Sequence, residues 1–114
     1  MHKLVKLITV SLLLFSSQAF SNAVWCYGNV ERVYVEHSGG LIIFSTWRNE
    51  YTQLCSVNSV WKGITQEVCK SWLSMAMTAK VSQVPVITHY ASSSCESMPT
   101  YSNALAPIYF MLNK

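Results

Sequence analysis

The sequence contains no aspartate, and its acidic residues are five glutamates that stand singly. This absence excludes aspartate-based calcium loops and the catalytic triads and dyads that depend on an aspartate. Beyond residue 23 there are only two histidines, His37 and His89. His37 adjoins a glycine turn and His89 lies in a strand-like segment, so neither pattern favours a catalytic base or a metal ligand. We therefore expect no enzyme, no cofactor and no metal site.

Long apolar runs and clusters of basic residues are also missing. No stretch approaches the roughly twenty apolar residues of a membrane-spanning helix, and the lysines and arginines are scattered, which argues against a nucleic-acid partner. The first residues carry Lys3 and Lys6, followed by a short apolar run over residues 7–15. This pattern is typical of a secretory signal peptide, with small-x-small cleavage sites after Ala19 and after Ala23. We predict a signal peptide over residues 1–23 and one domain over residues 24–114, exported to the periplasm or secreted.

Four cysteines follow the predicted signal peptide, and no two of them form a CxxC pair. An even number of cysteines in an exported chain favours disulfides over a zinc site. Three pairings are open. Cys55 and Cys69 flank one turn region while Cys26 and Cys95 lie near the two ends of the domain, so we expect Cys55–Cys69 and Cys26–Cys95. A domain this small has little core of its own and needs such reinforcement.

Hydrophobic periodicity predicts a mainly β fold with one helix. Strand-like segments at 29–37, 41–47 and 51–57 form an antiparallel meander, and two more occupy 84–90 and 104–112. Between them, residues 65–82 lack glycine and proline, with Thr65 placed to cap a helix, Glu67 in its first turn and Lys80 in its last. The order βββαββ is that of a small five-stranded OB-type barrel stabilised by disulfides.

The predicted helix has an apolar arc wider than one sheet face would cover. Either the helix is sunk deeply into a small core, or the edge of the arc formed by Met75 and Met77 meets a second subunit. Both interpretations remain open.

Aromatic residues are numerous for a chain of this length. Most are expected to be core, but one group straddles the tip of a predicted hairpin, where two aromatic rings would flank hydrogen-bonding side chains. This candidate ligand-binding group consists of Trp47, Arg48, Asn49, Glu50 and Tyr51.

Several features occur together along the chain: Trp25 and Cys26 at the start of the domain, the segment Leu54-Cys55-x-Val57, Trp61 before an amphipathic helix, and Cys95 in a serine-rich loop. In this order they resemble the B subunits of AB5-type bacterial toxins, and most closely those of the subtilase-cytotoxin kind. The resemblance implies an OB barrel that forms a homopentamer with its helices lining a central pore. It also implies carbohydrate bound on the outer face and an A-type subunit as partner.

Together these observations favour a non-catalytic exported recognition module that binds a glycan or a protein. The alternative is a periplasmic inhibitor or immunity-type protein that binds one partner enzyme. A third interpretation is a structural, envelope-associated protein without a discrete ligand.

Overall fold

The computed structural model describes residues 23–92 and 94–114. The predicted signal peptide, up to residue 22, and its cleavage site after Ala19 lie outside the described residues. No helix in the described part of the chain is long and apolar enough to cross a membrane.

Six strands and one helix make up the described chain, which is mainly β as predicted. In chain order they are β1 (Val24–Gly28), β2 (Val30–Val35), β3 (Gly40–Ser45), β4 (Glu50–Ser56), α1 (Gln66–Ser82), β5 (Val86–Tyr90) and β6 (Tyr109–Leu112). The strands form two three-stranded antiparallel sheets, with the orders β1-β5-β6 and β2-β3-β4.

The prediction of five strands is wrong, because β1 is an additional strand. Only Asn29 separates it from β2, which belongs to the other sheet. Two hydrogen bonds hold Asn29 against Thr46: the Thr46 amide donates to the Asn29 carbonyl at 3.0 Å, and the Asn29 amide donates to the Thr46 hydroxyl at 2.9 Å. A side chain at Gly28 would approach the Trp47 backbone nitrogen to 2.7 Å, so the close contact requires glycine. The two sheets are not closed into a barrel within the described residues.

The helix forms where it was predicted. The Thr65 hydroxyl accepts from the Val68 amide at 3.3 Å, and Gln83 ends the helix in the left-handed conformation. Its buried residues form a narrower stripe than the sequence suggested. They are Cys69, Trp72, Ala76 and Ala79.

Two hydrophobic clusters hold the fold together. The larger joins α1 to the inner faces of both sheets through Leu41, Leu54 and Phe110, and the smaller surrounds Cys26 and Tyr90. The disulfides are the two expected from the sequence. Cys55–Cys69 ties β4 to α1, and Cys26–Cys95 ties β1 to the loop that precedes β6.

Candidate functional site

The residues predicted at the hairpin tip do not share one surface. Trp47 turns inward and packs in the smaller cluster, with its ring centroid 6.2 Å from that of Tyr90. The Arg48 guanidinium lies over the Trp47 ring at 4.8 Å and donates to the Thr52 hydroxyl at 2.6 Å and to the Pro99 carbonyl at 3.1 Å. Arg48 is therefore engaged within the chain, where it holds the loop containing Pro99 against β4.

The other three residues lie further along the turn and into β4. Asn49 is exposed in the left-handed region at φ 55°, and Glu50 is exposed at the start of β4. Tyr51, on β4, joins a different group of side chains.

That group, here called the tyrosine face, lies on the side of the β2-β3-β4 sheet opposite α1. Register places Arg32, Phe44 and Tyr51 side by side across the three strands. The complete tyrosine face consists of Arg32, Tyr34, Phe44, Tyr51 and Tyr101.

Ring contacts run continuously through the tyrosine face. Tyr51 stacks on Tyr101 with centroids 5.4 Å apart and planes 15° apart, and it meets Phe44 edge-on at 4.9 Å. Arg32 donates to the Tyr51 hydroxyl and lies 5.3 Å over the Phe44 ring. Tyr34 is 39% exposed and Tyr101 is 46% exposed, so both rings are open to solvent. This arrangement offers flat apolar area bordered by hydroxyl and guanidinium groups.

Tyr101 comes from a loop, and its backbone is fixed against β4. Its amide donates to the Tyr51 carbonyl at 2.9 Å, and its carbonyl accepts from the Gln53 amide at 3.1 Å. The residue is held at φ 51°, a conformation that non-glycine residues adopt at an energetic cost. The surrounding contacts therefore impose a strained backbone that presents this ring.

Lys62 holds the same loop on the C-terminal side of Tyr101. Its ammonium donates to the Ser102 carbonyl at 3.0 Å and to the Ala104 carbonyl, and it lies 4.7 Å over the Trp61 ring. Since Arg48 holds Pro99 and a disulfide holds Cys95, the loop is attached on both sides of Tyr101.

Burial sets the electrostatics of the site and of its support. Burial, and then the nearby Tyr101, Glu36 and Tyr51, raise the pKa of Tyr34. Burial lowers the pKa of Arg48, against the opposing influence of Tyr90 and Glu50. The hydroxyl of Tyr90 is buried, which raises its pKa, and it has no hydrogen-bond partner among the described residues.

A second aromatic surface, here called the Trp25 face, lies on the outer side of the β1-β5-β6 sheet. His89 is sandwiched there between Trp25 and Tyr109, with centroid distances of 4.6 and 4.7 Å. The Trp25 face consists of Trp25, Tyr27, Ile87, His89, Tyr109 and Met111.

The helix offers a third surface. Met75 is half-buried against the larger cluster, whereas Met77 is 54% exposed and lines a groove of about 360 Å³ between α1 and β2. The contact predicted between a second subunit and Met75 and Met77 stays a prediction. Of the two side chains, Met77 is the more exposed.

The described residues hold no group of three histidine, cysteine or glutamate side chains placed to bind a metal. His37 is exposed in the turn after β2. The buried His89 has its Nδ1 2.9 Å from the Val24 carbonyl, in line with its assignment to a sheet.

Of the five residues of the tyrosine face, the predicted binding group contained Tyr51 and left out Arg32, Tyr34, Phe44 and Tyr101. Alternation along β2 carried a usable signal for Arg32 and Tyr34, which alternate with Val33 and Val35. Phe44 lies in a continuous apolar run and follows only from its pairing with Arg32 and Tyr51. Tyr101 gave no local signal, because it reaches the sheet only through the folding of a loop. Comparisons with protein-family models, with curated proteins and with solved structures found no match to this chain.

Proposed function

We propose that this protein is a non-catalytic exported recognition module that binds carbohydrate through the tyrosine face. The observation that carries the proposal is the stacked pair of Tyr51 and Tyr101, in which the half-buried Tyr51 ring supports the 46% exposed Tyr101 ring, with Arg32 and Tyr34 beside them. A sugar ring has an apolar C–H face edged by hydroxyl groups. An aromatic surface with polar groups at its rim complements both features.

Preorganisation supports this assignment. The backbone of Tyr101 is attached to β4, and Arg32 is positioned by Phe44 and by the Tyr51 hydroxyl. A ligand would therefore lose little free energy in ordering these side chains, which favours useful affinity from a small contact area.

The proposal extends to an OB-type arrangement of the strands. Only Asn29 separates β1, in one sheet, from β2, in the other, so the chain passes directly between the two sheets, and Thr52 pairs in parallel with Tyr101 beside the second sheet. Both features are compatible with a partly open barrel. They support the resemblance to AB5-type B subunits, for which a homopentamer and an A-type subunit remain proposals.

Export is part of the same proposal. Two disulfides among the described residues fit a chain that folds in an oxidising compartment. The N-terminal pattern of residues 1–23 supports delivery to the periplasm or beyond.

A glycan array probed with the oxidised protein, followed by calorimetry on the strongest hit, tests the proposal. Tyr101→Asn removes the ring while asparagine tolerates the left-handed backbone, so we expect binding to weaken at least about tenfold, or about 1.4 kcal/mol. Val81→Asn, on an exposed helix position, is the matched control and should bind like wild type.

Two results would count against the proposal: no binding to any glycan on the array, which the inhibitor or immunity-type alternative predicts, or equal affinity of Tyr101→Asn and wild type. Circular dichroism of each variant establishes that the fold is retained.

A further inference from the structure

The outward positions of the β1-β5-β6 sheet carry no lysine, arginine or glutamate. The strand registers align them in two rows across the sheet, namely Trp25, His89 and Tyr109, then Tyr27, Ile87 and Met111. Trp25 is 57% exposed and Tyr27 is 56% exposed. An antiparallel sheet normally turns polar side chains toward solvent on its open face. An aromatic face of this kind is typical of a surface that is covered in an assembly.

In the first row, the Trp25 indole nitrogen and His89 Nδ1 already have hydrogen-bond partners within the chain. The Trp25 indole nitrogen donates to the Tyr109 hydroxyl at 2.8 Å, and His89 Nδ1 lies 2.9 Å from the Val24 carbonyl. The exposed polar groups of the Trp25 face come down to the Tyr27 hydroxyl, whereas the tyrosine face has the Arg32 guanidinium and the hydroxyls of the exposed Tyr34 and Tyr101. Because sugars need hydrogen-bonding groups at the rim, the Trp25 face suits an apolar protein surface better than a glycan.

We propose that the Trp25 face binds the same face of a second copy of this chain, in a two-fold symmetric dimer. In a two-fold contact each residue meets its own copy or a neighbour of it, so a charged face would repel itself. The Trp25 face contains no lysine, arginine or glutamate and avoids that repulsion. Two such sheets can pack face to face as the layers of a β-sandwich do.

The exposed area sets the strength of the contact. At roughly 200 Å² for a fully exposed large side chain, Trp25, Tyr27 and the 36% exposed Met111 offer about 300 Å² on each copy. The pair then buries about 600 Å² from these three residues alone, with Ile87 and Tyr109 adding to it. This total falls in the range of weak, reversible contacts rather than obligate dimers. The dimer should therefore form in a concentration-dependent way.

Sedimentation velocity of the oxidised protein, expressed from the full sequence, tests the proposal over a wide concentration range. We expect a monomer at low concentration and a species of two chains at high concentration. Tyr27→Glu places like charges on both sides of the two-fold axis and leaves the row of Trp25, His89 and Tyr109 in place. This variant should therefore remain monomeric at every concentration. Val81→Glu, at an 82% exposed position on α1, is the matched control and should dimerise like wild type.

A protein that stays monomeric at every concentration, or that forms a five-chain species in place of a two-chain one, would overturn the proposal. So would an assembly that Val81→Glu disperses and Tyr27→Glu does not, because the helix surface would then be the interface. Met111→Glu provides an independent charge on the same face should Tyr27→Glu fail to fold, and it should give the same monomer. The proposal stands apart from carbohydrate binding, since neither variant alters the tyrosine face.

Discussion

Tyr101 stacks on Tyr51 with ring planes 15° apart, although Tyr51 belongs to β4 and Tyr101 to a loop far along the chain. The loop reaches the sheet because each of its ends is fastened: Cys95 by a disulfide and Ala104 by Lys62. The tyrosine face is thus held in place by residues that do not belong to it.

Lys62→Met should weaken ligand binding without removing any group that contacts the ligand. The methionine has a side chain of similar length but no ammonium, so it loses the hydrogen bonds to the Ser102 and Ala104 carbonyls and the cation–π contact with Trp61, and the loop presenting Tyr101 is less well ordered. Loss of preorganisation should lower affinity by about threefold to tenfold. Calorimetry on the strongest array hit measures it, with Lys70→Met on the exposed side of α1 as the control. Equal affinity of the two variants would show that the loop does not depend on Lys62.

The two disulfides should differ in their effect on binding more than in their effect on stability. In the chain-entropy account, replacing Cys55 and Cys69 by serine costs about 3 kcal/mol and replacing Cys26 and Cys95 costs about 4 kcal/mol. Only Cys26–Cys95 secures the loop that carries Tyr101. Under conditions where both variants remain folded, the Cys26/Cys95 variant should bind glycan more weakly. Urea unfolding of the two double-serine variants measures their stability, and calorimetry measures their affinity for glycan. Stronger binding by the Cys26/Cys95 variant than by the Cys55/Cys69 variant would contradict the prediction.

Tyr90→Phe should flatten the loss of stability at alkaline pH. Burial raises the pKa of Tyr90 above its ordinary value of 10.0, so the unfolded chain ionises at lower pH than the folded one. This contribution to stability is present below about pH 10 and is lost as the pH rises further, because only the unfolded state gains from ionisation. Phenylalanine has no such group.

At neutral pH the same substitution should leave stability unchanged or raise it, since the buried Tyr90 hydroxyl has no hydrogen-bond partner in the part of the chain that the structure describes. Urea unfolding at about pH 8 and about pH 10.5 measures both effects. Tyr27→Phe, at an exposed position, serves as the control. A Tyr90→Phe variant that loses as much stability as the control between the two pH values would contradict the argument.

Local patterns in the sequence predicted the elements whose causes are local. The helix was found because Thr65, Glu67 and Lys80 mark its ends and no glycine or proline interrupts it. The disulfides could be expected from the positions of the cysteines. The strand β1 was missed because its five residues owe their extended conformation to pairing with β5, far along the chain.

The candidate site was predictable only where strand alternation determines which way side chains point. Tyr51 belonged to the predicted binding group, and its neighbours Arg32 and Phe44 follow from register once the strands are paired. Trp47 and Arg48 were grouped with Tyr51 because they are close in sequence. The turn from β3 to β4 nevertheless directs Trp47 into the smaller cluster and Arg48 onto Thr52 and Pro99. Side-chain direction in a turn depends on tertiary contacts that a single sequence does not reveal.

An amide NMR titration of the isotope-labelled, oxidised protein with its strongest glycan ligand tests the central claim most directly. Binding at the tyrosine face predicts the largest chemical-shift changes at Arg32, Tyr34, Phe44, Tyr51 and Tyr101, and small ones at Tyr27, Ile87 and Met111. Shifts centred on the Trp25 face instead, with the tyrosine face unchanged, would contradict the account.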